Sequence, residues 1–175
     1  PAMAIMTVLT VFPTVFLYLN SITDYQLGWD LGRVRLVWFD NYIRLFSGRD
    51  PDFWNAVYIS LKFMVITTGI EMVLGFMIGK LLCDSEFKLK PVIFAILIIP
   101  IVMTPSIAGN IWKLMLNSEY GIVNYFLNLV GISNVTWLDA NLSFTSVVLA
   151  DVWQWTPFVS LISYAGLCSL PADQY

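Results

Sequence analysis

Residues 56–79 read AVYISLKFMVITTGIEMVLGFMIG, and this run decides the fold class. Only Lys62 and Glu71 carry charge within it. An apolar helix of about 20 residues is long enough to cross a bilayer core of about 30 Å. No period-two alternation runs through the segment, so a lipid-facing barrel strand is disfavoured. Unsatisfied backbone groups are costly in lipid, which leaves the α-helix as the spanning form. Three more segments read the same way: 1–19, with no charge; 91–116, with Lys113 near its end; and 142–168, whose one charge is Asp151. The expectation is an all-α, polytopic integral membrane protein.

Composition agrees. Of 175 residues, 58% are hydrophobic and 12% charged, against about 25% charged in a typical soluble domain. Mean hydropathy is +0.75. The net charge of −3 offers no basic patch and argues against nucleic acid. There is no His, the commonest metal ligand and general base. No metal, cofactor or catalytic residue is therefore expected. Cys83 and Cys168 form no CxxC or metal-ligand spacing, and no disulfide framework is expected. Segment 1–19 lacks a basic lead and a small-residue cleavage site, so it reads as a spanning helix rather than a signal peptide. Its cytoplasmic lead-in is expected to precede the chain as given.

The connections are polar. Segment 20–55 carries Asp24, Asp30, Asp40, Asp50, Asp52 and four Arg; 80–90 carries Lys80, Lys88 and Lys90; 117–141 carries neither Lys nor Arg. Within the last, GIVNYFLNLVG (121–131) sets Asn124 and Asn128 one turn apart among apolar residues. That pattern predicts a short helix at the interface. Lysine and arginine density puts 80–90 on the cytoplasmic side, whereas raw count does not, so charge leaves orientation open.

Ionisable residues at membrane depth point to function by default. Lys62 lies near its helix start, and its stem can reach the interface; Lys80 and Lys113 are similar. Glu71 is half a turn out of phase with Lys62, so it faces another helix or a polar cavity. In DVWQWTPF (151–158), Asp151, Gln154, Trp155 and Phe158 fall at i, i+3, i+4 and i+7, on one helix face. Carbohydrate sites want this mixture: hydrogen bonds for hydroxyls and flat rings for C–H faces. Pro157 frees the carbonyl of Trp153, and interrupted helices often line transport sites. Helix–helix contact with ordinary aromatic packing fits the same spacing. In IPIVMTPSIAGN (99–110), Pro100 and Pro105 interrupt the third segment beside Thr104, Ser106 and Asn110. Either a kinked helix or a helix bent around a passage satisfies that pattern.

These residues resemble the membrane subunits of binding-protein-dependent ABC importers of the carbohydrate-uptake group. The stretches that carry the resemblance are FDNYIRLF (39–46), PVIFAILIIPIVMTPSIAGNIWKLMLNSEYGIVN (91–124), TWL (136–138) and DVWQWTPFVSLISYAGLCSLPADQY (151–175). The resemblance implies a type I importer transmembrane fold, with four of about six helices here. It implies 20–55 and 117–141 outside, and 80–90 inside. Cys83 and Cys168 then lie on the reducing side as free thiols. In the maltose-transporting branch, the matching helix supplies sugar contacts, which map to Asp151, Gln154, Trp155 and Phe158; that branch has Asn where Asp151 stands. Its other contacts map to Ile101 and Pro105, whose side chains cannot hydrogen-bond a sugar, so Thr104 is the local substitute. Pro171, Ala172, Asp173 and Tyr175 would begin the loop that docks on the ATPase. The coupling loop proper and two further helices would follow Tyr175, so residues 1–175 alone are expected to show no ATP-linked transport. The implied partners are a second permease subunit, cytoplasmic ATPase subunits, an extracellular sugar-binding protein and membrane lipid. The implied mechanism is alternating access, without enzymatic activity in this chain, which has no GxxxxGK[ST] nucleotide loop.

Other classes remain. Half of an ion-coupled secondary transporter would use Glu71 and Asp151 as ion sites. A membrane-embedded enzyme is weakened by the lack of His and of any nucleophile–base pair. A stable interaction fragment without transport of its own is the third.

Overall fold

A computed structural model describes residues 1–28, 31–86 and 88–170. Its elements are α1 (Ala2–Ser21), a 3-10 turn (Leu31–Arg33), α2 (Asp40–Phe46), α3 (Pro51–Asp84), α4 (Lys90–Val102), α5 (Pro105–Met115), α6 (Ile122–Leu129) and α7 (Ser143–Cys168). Among the described residues the only β-type pairing is an isolated bridge, Thr23 with Leu36. The chain divides into two units, Pro1–Ser60 and Leu61–Tyr175.

In the first unit, α1 is apolar and satisfies its own hydroxyls. Thr7 and Thr10 donate to the Met3 and Met6 carbonyls at 2.8 Å, and Thr14 to Thr10 at 2.7 Å. This back-bonding lets threonine sit in lipid. The turn after α1 is locked by Asn41, whose amide donates to the Ser21 carbonyl at 3.0 Å and the Thr23 carbonyl at 2.8 Å. Asp24 accepts the Arg35 backbone N–H at 2.6 Å. The FDNYIRLF stretch thus forms α2 with its asparagine fastened to the end of α1.

Helix α3 has 34 residues, about 50 Å at 1.5 Å per residue. It exceeds the expected 56–79 at both ends. Only 17% of its most apolar window is buried, which separates it from the core helix of a soluble protein. Among the described residues it alone is long and apolar enough to cross a membrane by itself.

The third expected span, 91–116, is not one straight helix. It is α4 and α5, bent by 101° at a short break. Met103 and Thr104 there are extended, with ψ of 137° and 146°. Pro105 causes this: it removes an N–H and bars its predecessor from the helical region. Neither half spans alone.

The second unit buries polar side chains beside the apolar Leu82, Ala108, Leu116, Val148 and Val152, and exposes many large apolar ones. Thr67, Glu71, Asn124, Ser146, Gln154, Thr156 and Ser160 are buried, while Val65, Met72, Val73 and Val102 are exposed. A water-soluble protein shows the opposite order; a protein solvated by lipid has no reason to hide valine.

Helices α3 and α7 approach closely because the buried stripe of α3 narrows to glycine at Gly75 and Gly79. Thr67, Glu71, Gly75, Gly79 and Leu82 share one face. A Cβ at Gly75 would stand 2.5 Å from the Val159 Cβ; one at Gly79 would stand 2.8 Å from the Ser160 carbonyl oxygen. Glycines four residues apart are how membrane helices bring backbones together. This contact corrects the free-thiol expectation: Cys83 and Cys168 are joined in a disulfide, with Cα atoms 5.9 Å apart. The register Gly75–Val159, Gly79–Ser163 brings the ends of both helices side by side. The sequence separation of 85 hides that proximity.

The 121–131 stretch does form a short helix, α6, but Asn124 turns inward. It is 2% exposed. Its amide nitrogen donates to the Val135 carbonyl at 3.0 Å, and its oxygen accepts from Val135 N–H at 3.2 Å and Trp137 Nε1 at 3.0 Å. Trp137, from the TWL stretch, accepts from Ser146 at 2.7 Å through its carbonyl. Gly121 is required where it is, since a Cβ would stand 2.6 Å from the Met115 carbonyl oxygen.

Candidate functional site

Helix α7 carries the candidate residues because its sequence interrupts an apolar run with Asp151, Gln154, Thr156 and Ser160, each a hydrogen-bonding group that lipid cannot satisfy. The structure divides the expected face. Trp155 and Phe158 are outward, 41% and 47% exposed, with ring centroids 6.2 Å apart at 85°. Asp151 is half-buried beside them on the same stripe. Gln154 is turned inward, 6% exposed. Its Nε2 donates to the Met103 carbonyl at 3.1 Å.

That bond ties α7 to the break between α4 and α5, one residue from Thr104. Thr104 is exposed and occupies the N-cap of α5 without using its hydroxyl as a cap. The structure therefore joins Gln154 to the neighbourhood of Thr104, and joins Trp155 to Phe158. Part of Gln154's hydrogen-bonding capacity serves the fold. Pro171, Ala172, Asp173 and Tyr175 lie outside the described residues.

Sequence reasoning does not single out the neighbour of Asp151. Glu71 of α3 is 9% exposed, its Oε1 has no hydrogen-bond partner, and its carboxyl lies against Asp151. The helix register explains this. Gly75 meets Val159, so one turn earlier on α3 falls opposite the turn holding Trp155, and helical side chains lean toward their N-terminus. The expectation that Glu71 faces another helix is met; the partner could not be read without the register. Lys62 is elsewhere, 4.6 Å over the Phe144 ring near the start of α7.

A separate cavity of about 380 Å³ uses another face of α7. Leu149, Val152, Trp153 and Thr156 line it, with Leu74, Ile96, Pro100 and Trp112. None of the proposed contacts does. Trp112 and Trp153 meet edge to face at 5.8 Å, while Trp112 Nε1 and Thr156 Oγ1 are buried without partners. Two polar groups in an apolar chamber do not serve a polyhydroxylated ligand. Among the described residues, no group of three His, Cys, Asp or Glu is placed to hold a metal.

No protein-family model matches the chain. Individual relatives do. It is 34% identical over 176 residues to the probable ABC transporter permease protein y4oQ of Sinorhizobium fredii, covering 99% of this chain and 55% of that protein. It is 36% identical over 136 residues to the trehalose/maltose transport system permease protein MalF of Thermococcus litoralis, covering 77% of this chain and 45% of that protein. The chain is a homologue of ABC sugar-transporter permeases. A third such permease, the sulfoquinovosyl glycerol transport system protein SmoG of Agrobacterium fabrum, is 28% identical and covers 100% of this chain. The chain spans about half the length of these permeases. Its fold matches the crystal structure of a bacterial alginate ABC transporter in complex with an alginate pentasaccharide-bound periplasmic protein, with a TM-score of 0.73 at 17% identity. That likeness covers 99% of this chain and 57% of that one, and speaks for the fold. The ion-coupled transporter reading is not favoured beside permease relatives of this kind.

Proposed function

We propose that this chain is part of the permease subunit of an ATP-binding-cassette importer. It contributes to the path of a sugar or related polyol delivered by an extracellular binding protein. The carrying observation is the outward Trp155–Phe158 pair on the stripe that holds Asp151. Flat rings meet the C–H faces of a sugar, and Asp151 accepts from its hydroxyls. Relatives named for trehalose/maltose, diacetylchitobiose and xylose/arabinose support a carbohydrate substrate.

On this reading the protein is a multi-pass protein of the cell membrane, crossing four times within residues 1–175. Segments 20–55 and 117–141 face outward, toward the binding protein. The stretch with Pro171, Ala172, Asp173 and Tyr175 leads toward the ATPase. ATP hydrolysis belongs to separate subunits, and a second permease subunit completes the path. Transport is by alternating access, with the α4–α5 break and its Gln154 tether beside the path.

The test is uptake of sugars into proteoliposomes holding the full-length permease with its partner subunits. ATP-driven uptake is expected, with KM raised about tenfold in Trp155→Ala through the lost stacking surface. Uptake driven by a proton or sodium gradient without ATP would overturn the proposal.

A further inference from the structure

We propose that Cys83 and Cys168 are a redox lock on the permease: joined, they fix α7 to α3 and hold transport back; reduced, they release it. The inference rests on the permease reading above and gives that protein a means of regulation.

The pair closes a helix seam. Helices α3 and α7 meet at Gly75 with Val159 and at Gly79 with Ser163. Cys83 with Cys168 is the next step along the same seam, with Cα atoms 5.9 Å apart, the spacing of a bridged pair. Gly75, Gly79 and Cys83 recur every four residues and so share one face of α3. Above the cysteines the seam grips weakly. Glycine has no side chain to interlock, and small sliding of packed helices is a common route of conformational change. Ser160, beside the seam, spends its hydroxyl within its own helix, donating to the Thr156 carbonyl at 2.9 Å. A bond between the cysteines turns this sliding contact into a fixed one. Helix α7 needs the freedom, since it carries Trp155 and Phe158 and, through Gln154, holds the α4–α5 break.

Location supplies the chemistry. On the permease reading, α3 and α7 both end on the cytoplasmic side. Glutathione keeps thiols reduced there, and disulfides in such a compartment are usually transient and regulatory. Cys168 is exposed and Cys83 half-buried. The Cys168 thiolate attacks one sulfur of glutathione disulfide, expels one glutathione as thiolate and leaves a mixed disulfide. The Cys83 thiolate then attacks the Cys168 sulfur, forms the protein disulfide and expels the second glutathione. Two protein thiols are oxidised, glutathione disulfide is reduced, and the two glutathiones take up the two protons that the protein gives up. Excess glutathione runs the same steps backward.

The test is ATP-driven sugar uptake by the full-length permease assembly in proteoliposomes, with glutathione disulfide or glutathione on the ATPase side. Bond formation is read in parallel as loss of maleimide uptake. Glutathione disulfide is expected to cut wild-type uptake about tenfold, through a blocked conformational step, and glutathione to restore it. Cys83→Ser and Cys168→Ser can each carry a mixed disulfide but no link between helices. Both are expected to keep the reduced wild-type rate in either buffer. A wild type that forms the bond and transports unchanged overturns the inference. So does a pair that glutathione disulfide leaves unjoined, or equal inhibition of the serine variants. The reversal in wild type stands as a test even if the variants fail to fold. No ATP-driven uptake in either buffer overturns the permease reading itself, and the inference with it.

Discussion

Gln154 on α7 donates its amide to the carbonyl of Met103, 3.1 Å away and 51 positions earlier, where α4 gives way to α5. The bond satisfies a backbone oxygen that the break sets free. Replacing Gln154 by Leu leaves that carbonyl unpaired. The expected cost is about 1–3 kcal/mol of stability, read as a lower unfolding temperature of the detergent-solubilised full-length protein. Gln154→Glu should not restore it, since an ionised carboxylate has no N–H to give. A Leu variant as stable as wild type would contradict this role.

The glycines of α3 are predicted to sort by position. Gly79→Ala brings a Cβ to 2.8 Å from the Ser160 carbonyl oxygen and 2.9 Å from the Tyr164 nitrogen, both backbone. Backbone cannot yield without moving a helix, and overpacking costs about 1–3 kcal/mol. Gly75→Ala meets the Val159 Cβ at 2.5 Å, with similar effect. Gly69→Ala, with nothing within 4 Å, should be tolerated. Folded yield of the four proteins in one expression series checks the order.

Asn124 closes the segment between α5 and α7. Its amide serves Val135 from both sides and takes the Trp137 indole N–H. Asn124→Ala leaves these part-buried groups without partners, a loss of about 1–3 kcal/mol. Proteolysis within 117–141 should then speed up markedly. Asn128, which donates to the exposed Asn134 side chain at 2.8 Å, is the control. Its Ala variant should be cut at the wild-type rate.

The Cys83–Cys168 link predicts that the denatured, unreduced protein takes up no maleimide at these positions, and two equivalents after reduction. Uptake of two before reduction would show that the thiols are free in the membrane-bound protein.

Much of the fold is legible in the sequence, since lipid demands a simple pattern: long apolar helices with few charges. Residues 56–79 lie at the heart of α3, and 142–168 match α7 to within a residue. The proline pair at 100 and 105 announces an interruption, although its size, 101°, depends on what holds the two halves. The stripe of Asp151, Trp155 and Phe158 is legible because helical periodicity is local. The pairing of helices is not. Gly75 and Gly79 are spaced to receive a helix, but nothing local says that α7 arrives with Val159 and Ser160. Every feature that depends on that register is hidden in the linear chain: Glu71 against Asp151, Cys83 against Cys168. Gln154 shows the same limit, since periodicity puts it on the aromatic face while its bond partner lies at the α4–α5 break, 51 residues away.

The central claim is that the outward aromatic pair of α7 receives a sugar. Tryptophan fluorescence of the full-length permease assembly in nanodiscs, titrated with a panel of neutral sugars, tests it most directly. The account predicts a saturable change with one class of sugar, lost in Trp155→Phe and strongly weakened in Asp151→Ala. A saturable change of the same size in Trp155→Phe, or none with any sugar, would contradict it.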